Sequence, residues 1–159
     1  MGAKNFWLMK SEPTAYSFEQ LKSEVDQTAE WDGVRNYQAR NLLRDEIKVD
    51  DEVLFYHSNA KPTGVVGTAT VVRSGYPDFT AWDPSSDHPD PKSTEDNPIW
   101  FMVDIKAGVT FKRIVTLKEI RSNDLLKDMV LVNNSRLSVQ PVTKSEFDII
   151  LGMSGTTID

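Results

Sequence analysis

Residues 52–72 read EVLFYHSNAKPTGVVGTATVV, and this stretch carries the strongest strand signal of the chain. The turn residues at 62–64 separate an alternating run at 52–58 from a β-branched run at 65–72, which predicts two strands joined by a turn. Gly67 lies inside the second run, where a glycine indicates a bulge or a close approach by another group. The alternation of the first run predicts two opposite faces, formed by Val53, Phe55 and His57 and by Leu54, Tyr56 and Ser58.

Further strands are predicted by composition. Pro13 ends the first of them, because proline has no N–H to donate to a ladder. Residues 74–98 are rich in Pro, Asp and Ser and are predicted to form a long surface loop. The total is about five or six strands in one mixed sheet or partial barrel. The additional strand segments are 6–10, 99–107, 109–115 and 138–142.

Helices are predicted after the first strand and at the end of the chain. Ser17 and Gln20 have the spacing of a capping box that opens a helix over 18–25. Thr143 and Glu146 repeat that spacing before a final helix that runs to about residue 151. Because the helices do not alternate with the strands, the pattern predicts an α+β fold. Shorter helical segments are predicted at 36–44, 117–120 and 124–127.

Composition bounds the class of protein. The chain has 159 residues, no cysteine and a net charge of −6. It therefore has no disulfide framework, no thiol nucleophile and no Cys-based zinc site, and its two histidines are too far apart in sequence to predict a metal site. No apolar run is long enough to span a bilayer. We expect a single domain over 1–159 with a disordered tail at 154–159, no membrane partner and a cytoplasmic location.

The negative charge is unevenly distributed, which matters for a nucleic-acid partner. Between 78 and 104 seven acidic residues stand against one basic residue, Lys92. Between 57 and 77 there is no acidic residue, while Lys61 and Arg73 are present. A locally positive surface is therefore compatible with an acidic protein.

Side chains suited to acid–base catalysis are few. Glu12, Asp32 and His57 form the one plausible set, since the second histidine, His88, lies in the acidic loop. The sequence has no Gly-x-Ser-x-Gly elbow, no metal-binding histidine pair and no phosphate-cradling glycine loop. These observations favour a protein that is not an enzyme, with hydrolysis as the alternative.

The segment WDGVRNYQARN at 31–41 combines aromatic rings with side chains of defined hydrogen-bonding geometry. Asn36 either reads a base edge, since an amide offers a donor beside an acceptor, or caps the following helix. Arg35 is either a phosphate contact or a partner for Asp32 across the turn. The same alternatives apply to Arg136 in NNSRLSVQP.

The four tryptophans divide into two pairs. Trp7 and Trp100 lie in predicted strands, and large rings at such positions fill cores. Trp31 and Trp82 each precede an aspartate beside a turn, in WDG and WDP. At these two positions a ring either belongs to the core or stands at the rim of a pocket, where it can stack on a nucleobase.

Several segments carry a family pattern, in order over nearly the whole chain: WLMKSEP at 7–13, WDGVRNYQARN at 31–41, FYHSN at 55–59, GVVG at 64–67, DPKS at 90–93 with NPIW at 97–100, and RLSVQPV at 136–142. Together they resemble the EVE domain, which belongs to the PUA-like superfamily and is related in fold to YTH domains. The resemblance implies a PUA-like pseudo-barrel of about 5–6 mostly antiparallel strands, with helices packed at its ends.

The resemblance also implies a nucleic-acid reader that flips a modified base into an aromatic and polar pocket, without a cofactor. The modified base is expected to be a modified cytosine in DNA, with modified RNA as a second substrate class. The implied base pocket comprises Lys10, Ser11, Glu12, Trp31, Asn36, Tyr37, Tyr56, His57, Ser58, Trp82, Ser138 and Gln140. The candidate phosphate contacts are Arg35, Arg40, Lys61, Arg73 and Arg136.

Two other functions stay open at this point. One is a hydrolase for a small nucleotide-like or amide-like substrate, with Glu12 and His57 acting in the same cleft, since related PUA-like barrels include catalytic members. The other is a protein-interaction module that uses the acidic loop at 78–104.

Overall fold

The computed structural model of the chain describes residues 4–134 and 136–158. The strands in these ranges are β1 (Phe6–Ser11), β2 (Thr28–Glu30), β3 (Glu52–His57), β4 (Gly64–Pro77), β5 (Phe101–Thr116) and β6 (Val139–Val142). The helices are α1 (Phe18–Ser23), α2 (Tyr37–Asn41), α3 (Leu117–Ser122), α4 (Val130–Asn133) and α5 (Lys144–Met153). Single 3-10 turns lie at Val25–Gln27, Phe79–Trp82 and Asp124–Leu126, and a π-helical turn lies at Leu42–Glu46.

The six strands form one sheet in the order β2–β5–β4–β3–β1–β6. β1 pairs in parallel with β3, and the other pairings are antiparallel. Among the described residues β2 and β6 are the two edges, so the sheet does not close into a full barrel. The predicted α+β fold with mostly antiparallel strands is confirmed, with the pseudo-barrel open.

β3 lies inside the sheet and buries both of its faces. Val53 and Phe55 belong to a hydrophobic cluster that α1 and α2 cover, and Leu54 and Tyr56 belong to a second cluster that α3, α4 and α5 cover. The alternation predicted for 52–58 is therefore confirmed, since successive side chains point to opposite faces of a strand. Helices on both faces explain why both sets are apolar.

Gly67 lies where α1 meets the sheet. A Cβ at this position would stand 2.6 Å from the ring carbons of Phe18 and 2.7 Å from the carbonyl oxygen of Val109. The register between β4 and β5 shifts on both sides of Gly67. The position therefore combines a bulge with a close approach, as the sequence predicts, and no larger side chain fits there.

β4 and β5 are longer than the sequence pattern predicts. β4 continues to Pro77, so the first residues of the predicted loop at 74–98 are strand. The segments predicted as separate strands at 99–107 and 109–115 form the single strand β5, because pairing with β4 resumes beyond Gly108. The sequence pattern gave no signal for β2 and α4, which have three and four residues and are too short for a periodicity to show.

The helix predicted over 36–44 is divided in two. Asn36 caps α2, and regular α-helix ends at Asn41, where a π-helical turn takes over. This turn keeps Leu43 fully buried and partly buries Leu42, so both leucines point inward.

Residues after α5 contact the sheet. Ser154 is buried, and the backbone N–H of Lys112 donates to Thr156 Oγ1 at 2.8 Å. This bond attaches Thr156 to β5. The disorder of 154–159 stays a prediction, and Asp159 lies outside the described residues. No helix within 4–134 and 136–158 has the length and apolarity needed to cross a bilayer.

Candidate nucleic-acid interface

An open cleft of about 1290 Å³ lies beside the turn that follows β2. The end of β1, the turn at Val25–Gln27 and β2 form one side of it. The second half of β4, together with residues 87–88, forms the other side. The cleft is therefore built from segments that are far apart in sequence, and the sheet brings them together.

Trp31 connects the floor of the cleft to the core. Its ring meets Phe55 edge-on, with centroids 5.4 Å apart, and meets Tyr16 edge-on at 6.5 Å. Only 8% of Trp31 is exposed, which is too little for a base to stack over the whole ring. Tyr16 also lines the cleft, is half-buried, and donates its hydroxyl to Glu24 at 2.7 Å.

Asp78 fixes the turn that follows β2. Its carboxylate is fully buried and accepts hydrogen bonds from the backbone N–H of Gly33 at 2.9 Å and from Arg35 Nη1 at 2.9 Å. Thr80 donates to the same carboxylate through its backbone N–H and its hydroxyl. Burial opposes ionisation, but the hydrogen bonds from Thr80, Gly33 and Arg35 outweigh it and lower the pKa of Asp78. Gly33 has φ +80°, a conformation that favours glycine.

His88 closes the other side of this turn. Its imidazole lies against Gly33, where a Cβ would be 3.1 Å from the nearest ring carbon. Nε2 of His88 lies 3.5 Å from Asp32 Oδ2, and the carbonyl of His88 accepts from Arg35 Nη2 at 2.8 Å. The partner of Arg35 is therefore Asp78 and that of Asp32 is His88, so the pairing of Arg35 with Asp32 considered from the sequence does not form.

Carboxylates form much of the polar lining. Burial raises the pKa of Glu30, and the nearby charges of Asp104 and Asp32 add to the effect. Burial also raises the pKa of Asp32, although the charge of His88 acts in the opposite direction. The hydroxyl of Tyr76 donates to Asp104. Such a group of acceptors suits a ligand with N–H donors better than it suits a phosphate.

Arg73 and Lys10 are two basic side chains of the cleft lining. The guanidinium of Arg73 lies 3.5 Å from the ring centroid of Tyr76, and Arg73 is exposed. On the β1 side the ammonium of Lys10 lies 5.5 Å from the ring centroid of Tyr56. Burial and the charge of Arg121 lower the pKa of Lys10. The exposed guanidinium of Arg73 beside the acidic lining suits contact with a phosphate outside the cleft.

The structure brings together part of the predicted base pocket. Lys10, Ser11, Trp31 and Ser138 line the cleft. The other predicted residues are absent from its lining among the residues described: Glu12, Asn36, Tyr37, Tyr56, His57, Ser58, Trp82 and Gln140. Direct contact between a base and any of the twelve stays a prediction.

Two of the residues outside the lining stabilise local backbone. Asn36 Oδ1 accepts from the backbone N–H of Ala39 at 2.9 Å, so the capping alternative is the one that the structure shows. Gln140 is fully buried and donates through Nε2 to the carbonyls of Leu137 and Asn134. The side-chain oxygen of Asn36 and the amide nitrogen of Gln140 are thus already in use in the free protein.

The acid–base pair of the hydrolase alternative is also engaged elsewhere. His57 Nε2 accepts from the backbone N–H of Phe18 at 3.1 Å, and burial lowers the pKa of His57. Glu12 Oε1 accepts from Asn59 Nδ2 at 2.6 Å. Neither side chain lines the cleft.

The remaining predicted pocket residues lie on neighbouring surfaces. Tyr37 is exposed and packs on Trp100, with ring centroids 4.9 Å apart. Trp82 is half-buried at the end of a 3-10 turn. Tyr56 is buried in the second core cluster, and Ser58 is half-buried beyond the end of β3.

The predicted phosphate contacts fall into two groups. Arg35 and Arg73 line the cleft. Arg40 donates to a backbone carbonyl at 2.6 Å, and Lys61 and Arg136 are exposed on surfaces outside the cleft lining. Within the lining, Arg73 is the more accessible of the two arginines, since Arg35 is half-buried against Asp78.

Sequence reasoning missed several cleft residues. Tyr16 lies three residues after the motif WLMKSEP and Tyr76 belongs to β4, but no local pattern distinguishes either from an ordinary aromatic. Glu30 and Asp104 are adjacent partners on β2 and β5, a pairing that becomes visible only once β2 is known. Among the described residues, no group of three or more His, Cys, Asp or Glu could hold a metal ion.

Comparison with known proteins gives the family. The model of the EVE domain matches residues 5–153. The chain belongs to the EVE domain family. Thymocyte nuclear protein 1 of Mus musculus is 46% identical to this EVE domain in an alignment of 169 residues. The alignment covers 96% of this chain and 74% of the mouse protein. The protein of the same name from Homo sapiens is 44% identical and is covered over 72% of its length.

Solved structures agree with this assignment. A protein from Leishmania major has a TM-score of 0.91 and 47% identity to this EVE domain, with 96% of each chain covered. The human THYN1 protein, in complex with 5-methylcytosine-containing DNA, has a TM-score of 0.90 and 43% identity, with 97% of this chain and 99% of that chain covered. The family resemblance read from the sequence motifs is therefore confirmed over nearly the whole chain.

The cytoplasmic location predicted for this EVE domain is wrong in the light of its relatives. The proteins from mouse, rat and human are named as nuclear proteins. The prediction followed from the absence of cysteine, which excludes a disulfide framework but does not distinguish the cytoplasm from the nucleus.

Proposed function

We propose that this EVE domain recognises 5-methylcytosine in DNA and holds the flipped base in the cleft beside Trp31. The observation that carries the proposal is the human THYN1 protein, whose structure contains 5-methylcytosine DNA and matches this chain with a TM-score of 0.90. A DNA partner also suits the nuclear names of the relatives. Modified RNA remains a second substrate class that the cleft would admit.

The chemistry of the cleft fits the edge of cytosine. Cytosine presents an exocyclic amino group, whereas thymine presents a carbonyl at the same position. Asp32 and Glu30 place carboxylate oxygens in the cleft, and a carboxylate is the acceptor that suits this amino group. A base with a carbonyl there would meet like partial charges, so we assign discrimination between 5-methylcytosine and thymine to these acids.

The aromatic lining determines where the base stacks. Removing a base from a duplex costs a few kcal/mol, and stacking on an aromatic ring returns about 1–3 kcal/mol. Because Trp31 is largely buried, we assign the stacking role to Tyr16 and Tyr76, which are half-buried and line the cleft. Trp31 would then contact the 5-methyl group from the floor. Lys10, Ser11 and Ser138 complete the polar wall.

The test compares single-stranded oligonucleotides that differ only in their central base: 5-methylcytosine, cytosine or thymine. Fluorescence anisotropy of the parent should show tightest binding to 5-methylcytosine, with thymine weaker by about tenfold or more. The Asp32→Asn variant should lose most of the difference between 5-methylcytosine and thymine. Asp128→Asn, an exposed change outside the cleft lining, should retain it. Equal affinity of the parent for all three strands would contradict the proposal.

We propose binding without turnover. Glu12 and His57, the pair that a hydrolase would use, lie outside the cleft lining and accept hydrogen bonds from Asn59 and from the backbone of Phe18. Mass spectrometry of the methylated strand after prolonged incubation should show unchanged oligonucleotide. A product that appears with the parent and not with His57→Gln would instead support the hydrolase.

A further inference from the structure

Val25 is an exposed apolar side chain in the lining of the cleft. It is 93% exposed, more than the other large apolar residues that the structure describes as exposed. A single exposed apolar residue is ordinary, so its exposure does not by itself indicate a role. Its position does, because Val25 lines the cleft between Glu24 and Asp26.

The backbone around Val25 is held in an uncommon conformation. Asp26 and Gln27 have φ values of +59° and +52°, the left-handed region that non-glycine residues rarely adopt. The backbone N–H of Gln27 donates to the carbonyl of Glu24 at 2.8 Å, and Thr28 Oγ1 donates to the carbonyl of Asp26 at 2.9 Å. The turn is therefore a fixed tip that projects Val25.

The tip is also attached to the cleft itself. Tyr16, to which the proposed function gives a stacking role, donates its hydroxyl to Glu24 Oε2 at 2.7 Å. A base that enters the cleft beside Tyr16 would thus leave the duplex close to Val25. One hydrogen bond thus joins the tip to a proposed stacking residue.

We infer that Val25 is a wedge that enters the base stack when 5-methylcytosine leaves it. This inference rests on the proposed function, since it requires a duplex from which a base is flipped. A flipped base leaves a gap, and an apolar side chain in that gap replaces part of the lost stacking. Glu24 and Asp26 cannot take this place, because a carboxylate between bases would lose its hydration. Their charges face the phosphates and limit how deeply the tip enters.

If Val25 is a wedge, its substitution should weaken binding of a duplex more than binding of a single strand. A single strand has no base-paired stack in which a flipped base leaves a gap, so Val25 contributes little there. Val25→Ser should therefore weaken binding of a 5-methylcytosine duplex by about tenfold, the effect of removing one buried valine side chain from the complex. Binding of the methylated single strand should stay within about twofold of the parent.

The experiment measures anisotropy with both substrates for the parent, Val25→Ser and Leu125→Ser. Leu125 is 75% exposed and is absent from the cleft lining, so its variant controls for loss of an exposed apolar side chain. A 2-aminopurine placed next to the methylated base should brighten with the parent and less with Val25→Ser, because this fluorophore reports unstacking. Thermal melting checks that all three proteins are folded.

Each outcome is distinguishable. Duplex binding by Val25→Ser equal to that of the parent overturns the wedge and leaves the proposed function standing. Equal weakening on duplex and single strand also overturns the wedge, because Val25 would then contact the bound base itself. If the parent does not prefer methylated strands, the proposed function fails and the wedge fails with it.

Discussion

Arg35 donates through Nη1 to Asp78 Oδ2 at 2.9 Å, and this ion pair joins the turn after β2 to the end of β4. Two further bonds run from Arg35 to the carbonyl of His88, and another runs to the carbonyl of Val34. The guanidinium also lies 5.6 Å from the ring centroid of Trp100. Arg35 is therefore a structural residue of the cleft wall in the free protein.

Arg35→Ala should destabilise the fold. It leaves the buried carboxylate of Asp78 without its charged partner, although Gly33 and Thr80 still donate to it. We expect a loss of about 2–3 kcal/mol in the free energy of unfolding, measured by urea denaturation. Arg73→Ala, at an exposed position, should change it by less than about 0.5 kcal/mol. Equal stability of the two variants would show that the Asp78 pair contributes nothing.

Arg73→Ala should weaken DNA binding without changing base preference. A phosphate contact contributes the same free energy whatever the base, so methylated and unmethylated strands should lose affinity by the same factor. The slope of log K against log salt should become less steep by about 0.7 on single strands. Lys127→Ala, at an exposed site outside the cleft lining, is the control and should leave the slope unchanged. A base-dependent loss would place Arg73 at the base edge instead.

Binding of 5-methylcytosine should depend on pH in the acidic range. Burial raises the pKa values of Glu30 and Asp32 in the free protein. As the pH falls through these raised values the carboxylates gain protons and lose the negative charge that makes them strong acceptors for the amino group. As the solution is acidified, affinity should therefore begin to decline before the pH reaches about 4, the region where an unperturbed carboxyl titrates. Asp32→Asn should flatten the profile measured by anisotropy, and an unchanged profile would exclude Asp32 as the titrating group.

The raised pKa of Asp32 also affects the stability of the fold. Ionised Asp32 favours binding of the base but disfavours folding. A carboxyl whose pKa is raised on folding favours the folded state below its unfolded pKa, and this contribution is lost as the pH rises through the folded pKa. At neutral pH the ionised Asp32 is thus slightly unfavourable to folding. Asp32→Asn should raise Tm at pH 7 slightly, by an amount that corresponds to a gain of less than about 0.5 kcal/mol in the free energy of unfolding. The difference in Tm between variant and parent should shrink as the solution is made acidic, and a lower Tm at pH 7 would contradict this sign.

Asp51 should be among the most sensitive positions outside the cleft. Its buried carboxylate accepts from Trp7 Nε1, from the backbone N–H of Asn5 and from that of Lys48, each at 2.9 Å. Asp51→Ala leaves these donors unsatisfied and should cost about 2–4 kcal/mol in urea denaturation. Asp45→Ala, at an exposed position, serves as the matched control with a change below about 0.5 kcal/mol. A mild effect at Asp51 would mean that water replaces the carboxylate.

Local patterns predicted most of the elements because their causes are local. The capping boxes of Ser17 with Gln20 and of Thr143 with Glu146 both form, and each is complete within four residues. A glycine inside a strand run, Gly67, predicts a close approach, and the neighbour that approaches it is Phe18. The short strand β2 left no pattern, although it places Glu30 opposite Asp104 and so builds the acidic side of the cleft.

The motifs alone indicate the family. The α+β class, the two faces of β3 and the helix caps can also be predicted from the amino-acid order, since they depend on side-chain periodicity and on hydrogen bonds between near neighbours. Which side chains share the cleft depends instead on tertiary packing. Arg35 meets Asp78 across 43 residues, and Asn36, from the same segment, is used as a cap. Sheet order and loop packing determine such pairings, so residue spacing along the chain does not predict them.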